Sequence, residues 1–198
     1  MNQDRFNDAI SRFDAANADD PQKMDGIPSQ VLYARRMTDW LNRLYPDASE
    51  PLRLAARSQH LRRWAIPRSK YPMTRPGYHQ WRTALYSFHA DEAARILADC
   101  GYDPQTIAQV RSLLRKEKLK TNPDMQALED VICLVFLEFE IADFAPRHDE
   151  AKMLTILRRT WAKMSPRGHE AALALQYSPE IKALIGKALK PPGEPKAT

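Results

Sequence analysis

The stretch PDMQALEDVICLVFLEFEIADF, residues 123–144, decides how the chain is read. Leu128, Val131, Ile132, Leu134, Val135, Phe136 and Leu137 make it the most apolar segment, at helical rather than alternating spacing. The segments around it repeat that pattern. Phe6, Ile10 and Phe13 form one stripe over residues 2–16, and Leu32, Met37, Trp40, Leu41 and Leu44 recur after Ser29, which is expected to cap its helix. Ser49-Glu50-Pro51, Asp103-Pro104, Ser165-Pro166 and Ser178-Pro179 each read as a helix start, because proline in the first turn forfeits no hydrogen bond. Asp149 opens a further helix, and a helix over about 77–99 is closed by Gly101. No run alternates with period two. The expected fold is all-α, a single compact bundle of eight to nine helices over residues 1–190, with the proline-rich tail 191–198 disordered.

Composition removes several classes of function. The chain has 198 residues with six glycines, and it holds neither a GxGxxG nor a GxxxxGK[ST] run, which argues against dinucleotide-binding and P-loop folds. Nothing approaches the roughly 20 apolar residues of a membrane helix, the N-terminus lacks a signal-peptide layout, and Cys100 and Cys133 make no disulfide framework. A cytoplasmic protein without a membrane partner is expected.

Charge is unevenly placed. The net charge is +5, yet no carboxylate lies between Glu50 and Asp91, a window that carries Arg53, Arg57, Arg62, Arg63, Arg68, Lys70, Arg75 and Arg82. Seven of those eight cations are arginines, whose planar fork grips phosphate through two hydrogen bonds. The window therefore reads as an anion-binding surface, against the plainer reading of a solvated basic face. A second basic cluster follows at Arg111, Arg115, Lys116, Lys118 and Lys120. Residues 66–77 hold three prolines and a glycine and must form a loop.

Ionisable groups also fall on apolar faces. His60 lies four residues after Ala56, His89 four after Leu85, Glu117 three after Leu114, and Asp130 stands within the most apolar helix. A buried carboxylate needs a partner, since burying it alone costs several kcal/mol. Two histidines, an aspartate and a glutamate offer a nitrogen and oxygen set for zinc, manganese or iron. The same residues also suit hydrogen-bonded core histidines, and an Asp130 that caps a helix or pairs with an arginine such as Arg57. Glu129 is the inward carboxylate if the helix is rotated. Spacing alone leaves these readings open.

The order Tyr33-Ala-Arg-Arg36, Ala55-Ala56-Arg57-Ser58-Gln59-His60, His89 followed by Ala93-Ala94-Arg95-Ile96-Leu97 and Gly101, then Leu128-Glu129-Asp130, resembles the HD superfamily of helical metal-dependent phosphohydrolases. More closely, LYARRMTDWL, LAARSQHLRRWAIPRSKYPM, GYHQWRTALYSFH, LLRKEKLKTNPDMQALEDVICLVFLE and LRRTWAKMS resemble the uncharacterised domain-of-unknown-function family 4202 over nearly the whole chain. The HD resemblance implies a divalent metal on His60, His89 and Asp130. Tyr33 stands where that pattern has its first histidine, and Gln59-His60 stands where it has its His-Asp pair. The resemblance further implies a general base at Glu117 or Glu129. Phosphate contacts would come from Arg36 and Arg57, then Arg63, Arg68 and Lys70. The function implied is hydrolysis of a phosphate ester in a nucleotide or nucleic acid. The alternative is a non-catalytic basic module that binds RNA, tRNA or another phosphorylated ligand.

Overall fold

Serine, threonine and aspartate side chains start most of the helices. Their oxygens accept from backbone N–H groups that the first turn leaves unpaired. The computed structural model describes residues 2–117 and 121–190, so the expected tail at 191–198 and the cluster residues Lys118 and Lys120 lie outside the described residues. Helix α1 (Gln3–Ala18) is capped by Asn2. A two-residue antiparallel bridge, β1 (Lys23–Met24) with β2 (Ile27–Pro28), precedes α2 (Ser29–Leu44). Ser29 is not the cap of α2. Pro28 holds that position, and the buried Asp20 carboxylate accepts from Gln30 N at 3.0 Å and from Gln22 N at 2.9 Å.

Ser49 caps α3 (Glu50–Ser58), Thr74 caps α4 (Arg75–Asp99), and Asp103 caps α5 (Pro104–Leu114), each with proline in the first turn. Between α3 and α4 the chain makes two short 3-10 turns, Arg63–Ala65 and Arg68–Lys70. Then come α6 (Pro123–Val135), a π turn at Phe136–Glu140 and α7 (Ile141–Phe144). A 3-10 turn at Ala145–Arg147 leads to α8 (Glu150–Trp161), α9 (Pro166–Leu173) and α10 (Pro179–Leu189), capped by Asp149, Ser165 and Ser178. The described residues thus form ten α-helices, slightly above the expected number. The surplus comes from the π turn, which splits the single helix expected over residues 123–144 where Ile141 N reaches back to Phe136 O.

The packing divides the chain into two compact units, with the boundary between Leu128 and Glu129 inside α6. In the first unit α4 packs on α5, α3 lies against α2 and α5, and α1 touches α2, α3 and α4. Phe13, Met37, Leu41, Leu52, Leu54, Leu85, Leu97 and Leu114 are all fully buried there. In the second unit α8 packs on α10, and Met153, Leu157, Ile181 and Ala188 are buried. No helix among the described residues is long and apolar enough to cross a membrane.

The loop expected at residues 66–77 is shorter than expected, because α4 already starts at Arg75 with Pro76 in its first turn, and the rest is held firmly around the turn Arg68–Lys70. Arg68 donates to the carbonyls of Tyr71 at 3.0 Å and Pro72 at 2.7 Å, and Trp81 Nε1 donates to Ile66 O at 2.8 Å. At Gly77 the Pro72 carbonyl oxygen lies 2.1 Å from where a β-carbon would stand, so no larger residue fits that first turn of α4.

Candidate functional site

α3 ends at Ser58, and the next residues turn tightly so that His60 and Leu61 face α4. Arg62 makes the turn with a φ of 50°, a left-handed conformation that is costly for a residue with a β-carbon. The buried Asn17 of α1 offsets that cost by accepting from Arg62 N at 2.9 Å. As a result Leu61 O points at α4, where His89 Nδ1 donates to it at 2.8 Å. A carbonyl only accepts, so the Nδ1 proton is fixed and Nε2 keeps a lone pair. That Nε2 is buried and has no hydrogen-bond partner, and His89 is only 2% exposed.

The half-buried His60 stacks its ring on Tyr33 of α2, with centroids 4.1 Å apart and planes 16° from parallel. His89 lies 5.9 Å from it, centroid to centroid. Burial pushes the basicity of His60 well below its ordinary value, and Arg63, His89, Arg82 and Lys116 push it the same way. The charged groups that weigh most on this ring are therefore cations. Tyr86 sits among them. Its hydroxyl accepts from the Arg82 guanidinium, and Lys116 Nζ stands 5.5 Å over its ring. Arg82, Tyr86 and His89 follow at i, i+4 and i+7 on α4, which sets them on one stripe. Arg63 lies 4.8 Å over the Trp81 ring beside them.

Burial lowers the pKa of His89 to about 4; its bond to Leu61 opposes the shift and Arg63 adds to it. The unfolded chain titrates this group near 6.5, so between pH 6.5 and 4 it binds a proton that the folded chain does not. Stability is therefore full above pH 6.5 and declines as pH falls, by about 3 kcal/mol once below pH 4. Urea unfolding followed from pH 7 to pH 5 is expected to show this slope, and His89→Gln is expected to reduce it, with the likewise depressed His60 supplying the remainder. An unchanged slope in the variant would assign the titration elsewhere.

Several other expected site residues serve the fold. Arg57 is buried and forms a two-point ion pair with Asp14, Nε at 2.8 Å and Nη2 at 2.5 Å, while its Nη1 bonds Thr38 Oγ1 at 3.2 Å. Its guanidinium is held within the fold by Asp14 and Thr38. Arg68 is spent on the loop carbonyls. Arg36 reaches Met24 Sδ at 3.7 Å on the outer side of α2, and Lys70 is exposed on its turn.

The metal set does not fit the residues present. Asp130 is buried in the second unit, and its carboxylate receives Ser165 N at 2.7 Å and Ser165 Oγ at 2.5 Å, so it serves the cap of α9. His60 and His89 belong to the first unit. Glu117 is exposed rather than inward: α5 has ended at Leu114, and Lys116 turns left-handed with a φ of 59°. Glu129 is buried within α6. Among the described residues no three His, Cys, Asp or Glu side chains gather to hold a metal ion. Gln59 is buried as well, and its Oε1 has no hydrogen-bond partner.

Arg82, Lys116 and Tyr86 were counted in the sequence only by charge or not at all. The i, i+4, i+7 spacing of Arg82, Tyr86 and His89 was the signal that places them. The structure is an all-α protein in which the His60 and His89 rings lie 5.9 Å apart, with Arg63, Arg82 and Lys116 bearing on His60. The family model described as a domain of unknown function, DUF4202, matches residues 7–185, and the chain belongs to that family. No curated protein and no solved structure gives a significant match.

Proposed function

We propose that the protein is a non-catalytic basic helical module that binds a phosphorylated ligand at the cationic cluster around His60. One observation carries this reading: Arg82, Tyr86 and His89 share one stripe of α4, Lys116 Nζ stands 5.5 Å over the Tyr86 ring, and the His60 ring lies 5.9 Å from His89, so that cations surround the imidazoles. Like charges held close repel one another, and an anion entering between them removes that penalty while it gains charge-assisted hydrogen bonds. Phosphate suits the arrangement because its oxygens accept in several directions at once, and an arginine can bind two of them. A nucleotide and an RNA phosphate both supply that group. A metal-activated water would need a cluster of at least three His, Cys, Asp or Glu side chains, and among the described residues none gathers.

Titration of the purified protein with inorganic phosphate, followed by calorimetry or NMR at pH 7, tests the reading. A saturable site is expected. Arg63→Gln and Arg82→Gln are each expected to weaken it about tenfold or more, since a charge-assisted hydrogen bond contributes about 1.5–3 kcal/mol. Lys70→Gln, on the exposed turn, is expected to change it less than about twofold. Absence of a saturable phosphate signal in the folded wild type would overturn the proposal.

A further inference from the structure

We propose that a cavity in the second unit binds a small organic cation, an amine with an apolar body whose ammonium group pairs with Glu180. The cavity has a volume of about 390 Å³, within the roughly 300–1,000 Å³ of small-molecule sites. Its lining runs from Ala142 to Leu184 and belongs to the second unit alone. None of His60, His89, Arg63, Arg82 and Lys116 contributes to it.

Three helices and a turn build it. α7 supplies Ala142, and the 3-10 turn after it supplies Ala145 and leads to His148. α8 supplies Met153, and α10 supplies Ile181 and Leu184. Ala145, Met153 and Ile181 are buried and Leu184 is half-buried, so the floor is apolar. His148 closes one wall. Its ring meets Phe144 edge-on at 4.4 Å between centroids, and Phe144 meets Phe136 in the same manner at 5.6 Å, which fixes that wall in advance of any ligand. The π turn at Phe136–Glu140 lies directly before α7, and such turns recur at functional sites.

Charge selects the occupant. Glu150 and Glu180 stand at the exposed rim, and among the described residues no lysine or arginine lines the cavity. Glu150 is engaged, because Lys187 Nζ lies 3.0 and 2.8 Å from its two carboxylate oxygens. Glu180 has no ion-pair partner among the described residues. Hydrogen bonds from its own backbone N–H and from Ser178 hold its pKa below the ordinary value, so it is anionic at neutral pH. α8 and α10 both begin here, and a helix N-terminus favours negative charge. Their caps are already made: Asp149 accepts from Lys152 N at 2.8 Å, and Ser178 Oγ from Ile181 N at 3.4 Å. The uncompensated full charge at the mouth is therefore that of Glu180. An ammonium matches it while the hydrocarbon body covers Met153 and Ile181. Burial of that body supplies most of the affinity, and the exposed carboxylate supplies the choice of charge.

The test compares 2-phenylethylamine, 2-phenylethanol and 3-phenylpropanoate, which share an apolar body and carry a cationic, a neutral and an anionic head. In titrations of the full chain at pH 7 followed by NMR, the amine is expected to saturate with a Kd of about 1 mM. The amides that shift are expected to fall within residues 142–184. The amine is expected to bind about three- to fivefold more tightly than the alcohol, as an exposed ion pair allows, and the carboxylate more weakly than either. Glu180→Gln is expected to bring the amine to the affinity of the alcohol and to leave the alcohol unchanged. Ala142→Trp, at an exposed lining position, is expected to fill the cavity and abolish binding of all three. If that variant does not fold, Glu180→Gln at the exposed rim still decides. Equal binding of the three compounds, or an amine affinity unchanged in Glu180→Gln, overturns the assignment to a cation. No saturable amine binding by the wild type, or amine binding that persists in folded Ala142→Trp, overturns the site.

Discussion

Asp130→Ala is expected to lower the unfolding free energy by about 2–4 kcal/mol. The Asp130 carboxylate is fully buried and accepts from both the backbone N and the hydroxyl of Ser165, the residue whose Oγ in turn accepts from Gly168 N. Removing it leaves the part-buried Ser165 N–H without its acceptor and lets the cap of α9 drift, and it deletes a negative charge beside the positive end of that helix. Gly168→Ala attacks the same contact from the other side, because a β-carbon there would stand 2.8 Å from Asp130 Oδ1. It is expected to cost about 1–3 kcal/mol. Urea midpoints at constant m-value provide the measurement. A change below about 0.5 kcal/mol in Asp130→Ala would remove the carboxylate from its capping role.

Arg57→Met comes second, with an expected loss of about 2–4 kcal/mol. It leaves Asp14 without its partner and Thr38 Oγ1 without a donor from Arg57. The double variant Arg57→Met/Asp14→Leu is expected to recover part of that loss, since removing both members of a pair strands no charge. Phosphate affinity of the folded Arg57→Met protein is expected to match wild type. A large loss of affinity at full folding would return Arg57 to the binding surface.

The fold was open to reading because its signals are local. Ser49, Asp103, Asp149, Ser165 and Ser178 each accept from a backbone N–H three residues on, so spacing along the chain located those helix starts. Ser29 misled because its helix is served by Asp20 from across a loop. The site was less open. Asp130 finds its partner 35 residues away and Arg57 finds Asp14 at a separation of 43, and no periodicity encodes such pairings. Glu117 was placed inward by extending a helical face past the point where the helix stops. His60 and His89 were legible as polar groups on apolar faces. That their rings meet depends on the left-handed turn at Arg62, for which the local sequence carries no glycine.

The Gly77 contact with Pro72, taken with the Arg68 and Trp81 hydrogen bonds, has a bearing on thermodynamics. A segment already anchored at three points surrenders little conformational freedom when something docks beside it. That segment is therefore pre-organised, and a group docking against it would meet only a small entropic penalty from the protein side. Loosening its anchorage would raise that penalty.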